Sequence, residues 1–61
     1  MKNVSISFEQ RQIIFRAVIE AQDAGATVAE SRNTVSQTYD ITMEQLKEIE
    51  REGIEGQWPP L

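Results

Sequence analysis

The side chains best placed to do chemistry fall in one stretch, YDITMEQLKEIEREG, residues 39–53. Glu44, Glu48 and Glu52 recur at a spacing of four, which stacks carboxylates on one face of a helix. Paired carboxylates serve general acid–base catalysis, ligate calcium, or form acidic surfaces that meet basic partners or imitate DNA. A catalytic pair needs a cleft that perturbs its pKa values, and the sequence gives no sign of one. A calcium loop needs closely alternating oxygen ligands, and no segment has that spacing. Two readings of the row remain. The plain one is a solvated face braced by Lys47 and Arg51 against neighbouring acids. The other is an acidic docking surface.

Composition narrows the field further. The chain has 61 residues, no cysteine and no histidine. Disulfide staples and Cys/His zinc sites are therefore excluded, along with the usual general base and the best nucleophile. No enzyme and no cofactor is expected. No apolar run approaches the roughly 20 residues that a membrane span needs. The opening MKNVSISF lacks the apolar core of a signal peptide. A cytoplasmic, non-membrane protein is the expectation.

The formal net charge is −4, and it is unevenly placed. Lys2, Arg11 and Arg16 balance Glu9, Glu20 and Asp23 in residues 1–29. Seven acids face three bases in residues 30–61. A free-standing DNA binder usually shows the opposite balance, because Lys and Arg release counterions from the phosphate backbone.

Three helix starts share one signature: SFEQ (Ser7 to Gln10), TVAE (Thr27 to Glu30) and TMEQ (Thr42 to Gln45). Each is a capping-box pattern. The first helix is expected from about Phe8 to Ala24, with Gly25 in the left-handed position beyond its end. Its apolar stripe is Phe8, Ile14, Phe15, Ala17, Val18, Ile19 and Ala21. Ile13 falls outside that stripe, beside Glu9, Arg16 and Glu20. The second helix is expected from about Val28 to Thr38, with Val28, Ala29, Val35 and Tyr39 inward. The third is expected from about Met43 to Glu52, with Leu46 and Ile49 inward. Gly53 would end it, and Ile54 would make a hydrophobic capping contact.

Two segments lie outside these helices. Val4, Ile6 and Phe8 alternate with the period of a strand, but one strand alone has no partner. The tail EGQWPPL cannot be helical through Pro59 and Pro60. The first expectation for Trp58 is that it folds back and caps a small core. The alternative is an exposed aromatic–proline peptide that docks on a partner, with Ile13 marking a second part of such a surface or of a homodimer contact.

The spacing of Val35, Tyr39, Ile41, Leu46 and Ile49 is that of a helix-turn-helix. Ser36 is small, as a close crossing requires, and Asp40 stands where the turn usually has glycine. The stretch VSQTYDITMEQLKEIEREGI resembles the end of the promoter-recognising C-terminal domain of bacterial sigma factors, over about residues 34–54. The similar features are the YDIT turn, the Leu46–Ile49 pair and the IEREGI ending. The resemblance implies that residues just after the turn threonine reach bases and phosphates. Those positions here are Met43, Glu44, Gln45, Lys47 and Glu48, with Arg51 one turn on. Only Gln45, Lys47 and Arg51 keep DNA-reading chemistry. Two bases on this helix, with Arg32 nearby, allow about two or three phosphate contacts, where specific binders commonly make about six to ten.

The expected architecture is therefore all-α: a small three-helix bundle containing a helix-turn-helix, in one domain spanning 1–61, with an arm at 1–6 and a proline-containing tail at 55–61. Two functions are expected from it. One is a non-enzymatic regulatory module acting on DNA or the transcription machinery. The other is an acidic protein–protein interaction module that has the fold but does not read DNA, either as a homodimer or as a subunit of a larger complex.

Overall fold

The structure, a computed structural model, describes residues 6–60. Three helices follow one another: α1 (Phe8–Asp23), α2 (Val28–Thr38) and α3 (Met43–Gly56). Each packs against the other two, giving an all-α three-helix bundle. All three start at the expected caps, but only two carry the full box; at Ser7 the return bond from Gln10 is missing. The Ser7 hydroxyl accepts from the Gln10 N–H at 3.0 Å. At Thr27 and Thr42 both bonds of the box are present, with Glu30 and Gln45 returning to the cap backbone. Such caps contribute about 1 kcal/mol each, which matters in a chain this small.

All three helices also end alike. In each case one N–H reaches back five residues and the preceding N–H reaches back three. The pairs are Ala26 to Ala21 with Gly25 to Gln22, Ile41 to Ser36 with Asp40 to Gln37, and Trp58 to Gly53 with Gln57 to Ile54. This is the Schellman hydrogen-bond pattern, closed in each case by a residue with positive φ. That residue is Gly25 (φ 110°), Asp40 (φ 56°) and Gln57 (φ 53°) in turn. The residue after it carries the chain back onto the bundle. Ile41 packs against the core, and Trp58 enters it.

The core consists of Ile14, Phe15 and Val18 from α1, Val35 from α2, Leu46 and Ile49 from α3, and Trp58 from the tail. Trp58 sits edge-on to Phe8 and to Phe15, with ring centroids 5.3 and 5.8 Å apart. The expectation that it caps the core holds; it offers no exposed docking peptide. Ile6, Ala17, Ile19, Tyr39 and Ile41 pack around the edge.

Several expectations are corrected. Gly53 does not end α3; it is buried inside it, and the helix continues one further turn to Gly56. The Phe15 ring lies where a Gly53 side chain would be, so glycine serves a close approach here rather than a stop. The tail therefore begins at Gln57, not at 55. Ile54 points into solvent instead of making a capping contact, because Trp58 fills that role. On α2, Val28 is half exposed and Ala29 is exposed. Val28 opens the helix and its side chain leans back beyond the core. Ala29 lies about 120° around the helix from Val35. Ser31 takes the inward place instead, fully buried, donating to Val28 O and accepting from Gln22 of α1. Phe8 is half exposed, at the helix start, with its ring perpendicular to that of Trp58. Of the alternating N-terminal residues, Val4 lies outside the described residues, Ile6 is not in a strand, and Phe8 opens α1.

Candidate interaction surface on the third helix

A turn of four residues, Tyr39 to Thr42, joins α2 to α3 and sets the exposed face of α3. Leu46, Ile49 and Gly53 anchor the opposite face in the core. With that side fixed, the period of the helix turns Glu44, Lys47, Arg51, Ile54 and Glu55 outward. Met43 is also exposed, at the start of the helix, and Glu48 is half-buried on the same side.

The sides of α3 are tied down by ion pairs to the other helices. Arg32 of α2 donates two hydrogen bonds to Glu50, from Nε to Oε2 and from a terminal nitrogen to Oε1, both at 3.0 Å. This is a fork-to-carboxylate pair, the stronger kind. The hydrogen bonds donated to Glu50, then the charge of Glu50, hold the Arg32 guanidinium above its usual pKa. Arg11 of α1 donates to Glu52 at 2.9 Å, also donates to the Ile6 carbonyl, and lies over the Phe8 ring. Arg16 pairs with Glu20 within α1 at 3.0 Å.

These pairs change the meaning of the residues singled out above. Glu52 leaves the row it shares with Glu44 and Glu48 and turns towards Arg11. Three stacked glutamates do not form one acidic face. Arg32 is engaged with Glu50, so it adds no free positive charge beside α3. Gln45, a candidate base reader, has its carbonyl oxygen held by the Thr42 N–H. Lys47 and Arg51 remain as exposed bases with no ion pair among the described residues. The outward surface thus carries three acids, Glu44, Glu48 and Glu55, against two bases. Met43 and Ile54 place apolar atoms at its two ends.

The interhelical pairs Arg11–Glu52 and Arg32–Glu50 had no local signal in the sequence. Their partners are 41 and 18 residues apart and meet only when the helices dock. Among the described residues no group of three acidic side chains is arranged to hold a metal ion, and no helix is long and apolar enough to cross a membrane.

Ile13, the other residue singled out for a contact surface, is half exposed on α1. With Glu9, Gln12, Arg16 and Pro59 it lines a shallow open groove of about 350 Å³.

No family model, curated protein or solved structure matches the chain.

Proposed function

We propose that this is a non-enzymatic protein-interaction module, a three-helix scaffold that presents the outer face of α3 to a protein partner. The observation that carries this reading is the internal use of the cations. Arg11 and Arg32 are engaged with Glu52 and Glu50 of α3, and Gln45 is engaged in its cap. Lys47 and Arg51 are then the bases left on α3 for phosphates, and Glu44, Glu48 and Glu55 surround them. Two phosphate contacts set a salt slope of about 2, well short of a specific binder, and the carboxylates oppose even those. A mixed face of charges flanked by Met43 and Ile54 suits a protein partner better, since charge pattern sets specificity and apolar anchors set affinity.

Fluorescence anisotropy with a labelled duplex at low salt separates this from the reading in which the module acts on DNA. The expected result is no binding up to high-micromolar protein. Salt-dependent binding that disappears in Lys47→Glu and Arg51→Glu overturns the proposal in favour of DNA. In parallel, tagged protein should retain a protein partner after nuclease treatment and lose it in Glu44→Lys/Glu55→Lys. Capture indifferent to those substitutions counts against α3 as the contact.

A further inference from the structure

The outer face of α1 is charge-patterned along one line. Glu9, Ile13, Arg16 and Glu20 succeed one another at spacings of four, three and four, which keeps them on one seam. All four are exposed. Ile13 is half exposed, and the groove beside it is closed on one side by Pro59 of the folded-back tail. The seam is independent of the α3 surface, which lies on other residues.

In antiparallel pairing of this seam with a copy of itself, two different charged positions come opposite each other in three registers. If Glu9 opposes Glu20 of the copy, like charges meet and Ile13 faces an arginine. If Arg16 opposes Glu20, the charges match, but Ile13 is carried to the end of the helix and left uncovered. If Glu9 opposes Arg16, the axis passes between Gln12 and Ile13. Both charge contacts are then attractive, and the two Ile13 side chains lie next to each other at the centre. Only the last register satisfies charge and apolar cover together. A two-fold interface is self-complementary in this way, each contact occurring twice.

We infer that a second copy of this chain is the occupant of this face: two molecules pair through the outer faces of α1, antiparallel, with Glu9 of each opposite Arg16 of the other and Ile13 central. Arg16 already holds its own Glu20 at 3.0 Å, so in the pair it bridges two carboxylates. The contact is small. A helix of 16 residues is about 24 Å long, and one helix on another buries less than the roughly 1,200 Å² at which stable interfaces begin. The dimer is therefore weak and reversible.

Sedimentation equilibrium of the full chain, from micromolar to millimolar concentration, reads it directly. Wild type should dimerise reversibly. Glu9→Arg and Arg16→Glu should each weaken association about tenfold, because each turns two attractive contacts repulsive. An equimolar mixture of these two variants should associate again, since every contact in the mixed pair regains opposite signs. Ile13→Ser should weaken association without loss of helix by circular dichroism. A wild-type chain that stays monomeric at millimolar concentration overturns the inference. So does a mixture that associates no better than the separate variants, which would leave Glu9 and Arg16 unopposed.

Discussion

The Phe15 ring rests on the backbone of α3 at Gly53, so closely that a Cβ on Gly53 would stand 2.7 Å from Phe15 Cγ and overlap the ring edge. Both residues are buried. Alanine in place of Gly53 gains about 1 kcal/mol of helix propensity. It also overpacks a rigid core contact, which costs about 1–3 kcal/mol or more. The overlap is with the ring itself, not the end of a flexible chain, so the packing cost wins. Gly53→Ala should lower stability by about 2 kcal/mol in urea denaturation. A stabilised variant would show that Phe15 moves aside freely.

Trp58 joins the core from beyond the last helix. Trp58→Ala should remove about 3–5 kcal/mol. A chain of this length has a total stability of about 3–9 kcal/mol, so much of the variant should be unfolded at room temperature. Trp58→Phe keeps an aromatic ring for the edge-on contacts with Phe8 and Phe15 and should cost about half as much. The chain has one tryptophan, so its fluorescence reports the tail alone. Emission should be blue-shifted in the native state and shift red at the same urea midpoint as the loss of helix. An earlier fluorescence midpoint would mean that the tail detaches on its own.

Asp40 and Gln57 occupy left-handed backbone without being glycine. Glycine there removes strain of about 1 kcal/mol, offset in part by its greater freedom in the unfolded chain. Gln57→Gly should stabilise by about 0.5–1 kcal/mol, and Asp40→Gly by less, because aspartate tolerates this conformation better. Asp40→Val should destabilise. Thermal melts of the three variants give the ranking, and a Gln57→Gly variant less stable than wild type would contradict the αL assignment of the α3 stop.

Arg32 and Glu50 join α2 to α3 through two hydrogen bonds. The Arg32 side chain is about one-third exposed, so solvent screens the pair, and Arg32→Gln should cost about 1 kcal/mol. The sign of its pH dependence follows from the raised pKa. A cation held above its unfolded pKa contributes fully below that value and loses the contribution only as pH rises through the folded one. Both lie at strongly alkaline pH. The cost of Arg32→Gln should therefore stay constant from about pH 7 to about pH 10. A cost that fades over that range would remove the guanidinium charge from the explanation.

Much of this architecture was legible along the chain because the signals are local. Ser7, Thr27 and Thr42 mark the helix starts through bonds that span three residues. The apolar spacing of Ile14, Phe15, Val18, Val35, Leu46 and Ile49 marks the core through the period of the helix. Asp40 at the second stop is readable because few residue types accept its conformation. The three-helix bundle follows from those features.

What only the tertiary structure decided are the roles set by contacts distant in sequence. Gly53 looks like a helix stop until Phe15, 38 residues earlier, is seen to need its bare backbone. Gln57 carries no hint of a left-handed stop; the burial of Trp58 beside it compensates for the strain. Ser31 looks like surface until Gln22 reaches it. Glu44, Glu48 and Glu52 look like one acidic face until Arg11 arrives from α1 and takes Glu52 out of it, and Arg32 looks like a free base beside α3 until Glu50 meets it. Local hydrogen bonds and helical period are written in consecutive residues, whereas close packing and ion pairing between helices depend on a docking register that no short segment contains.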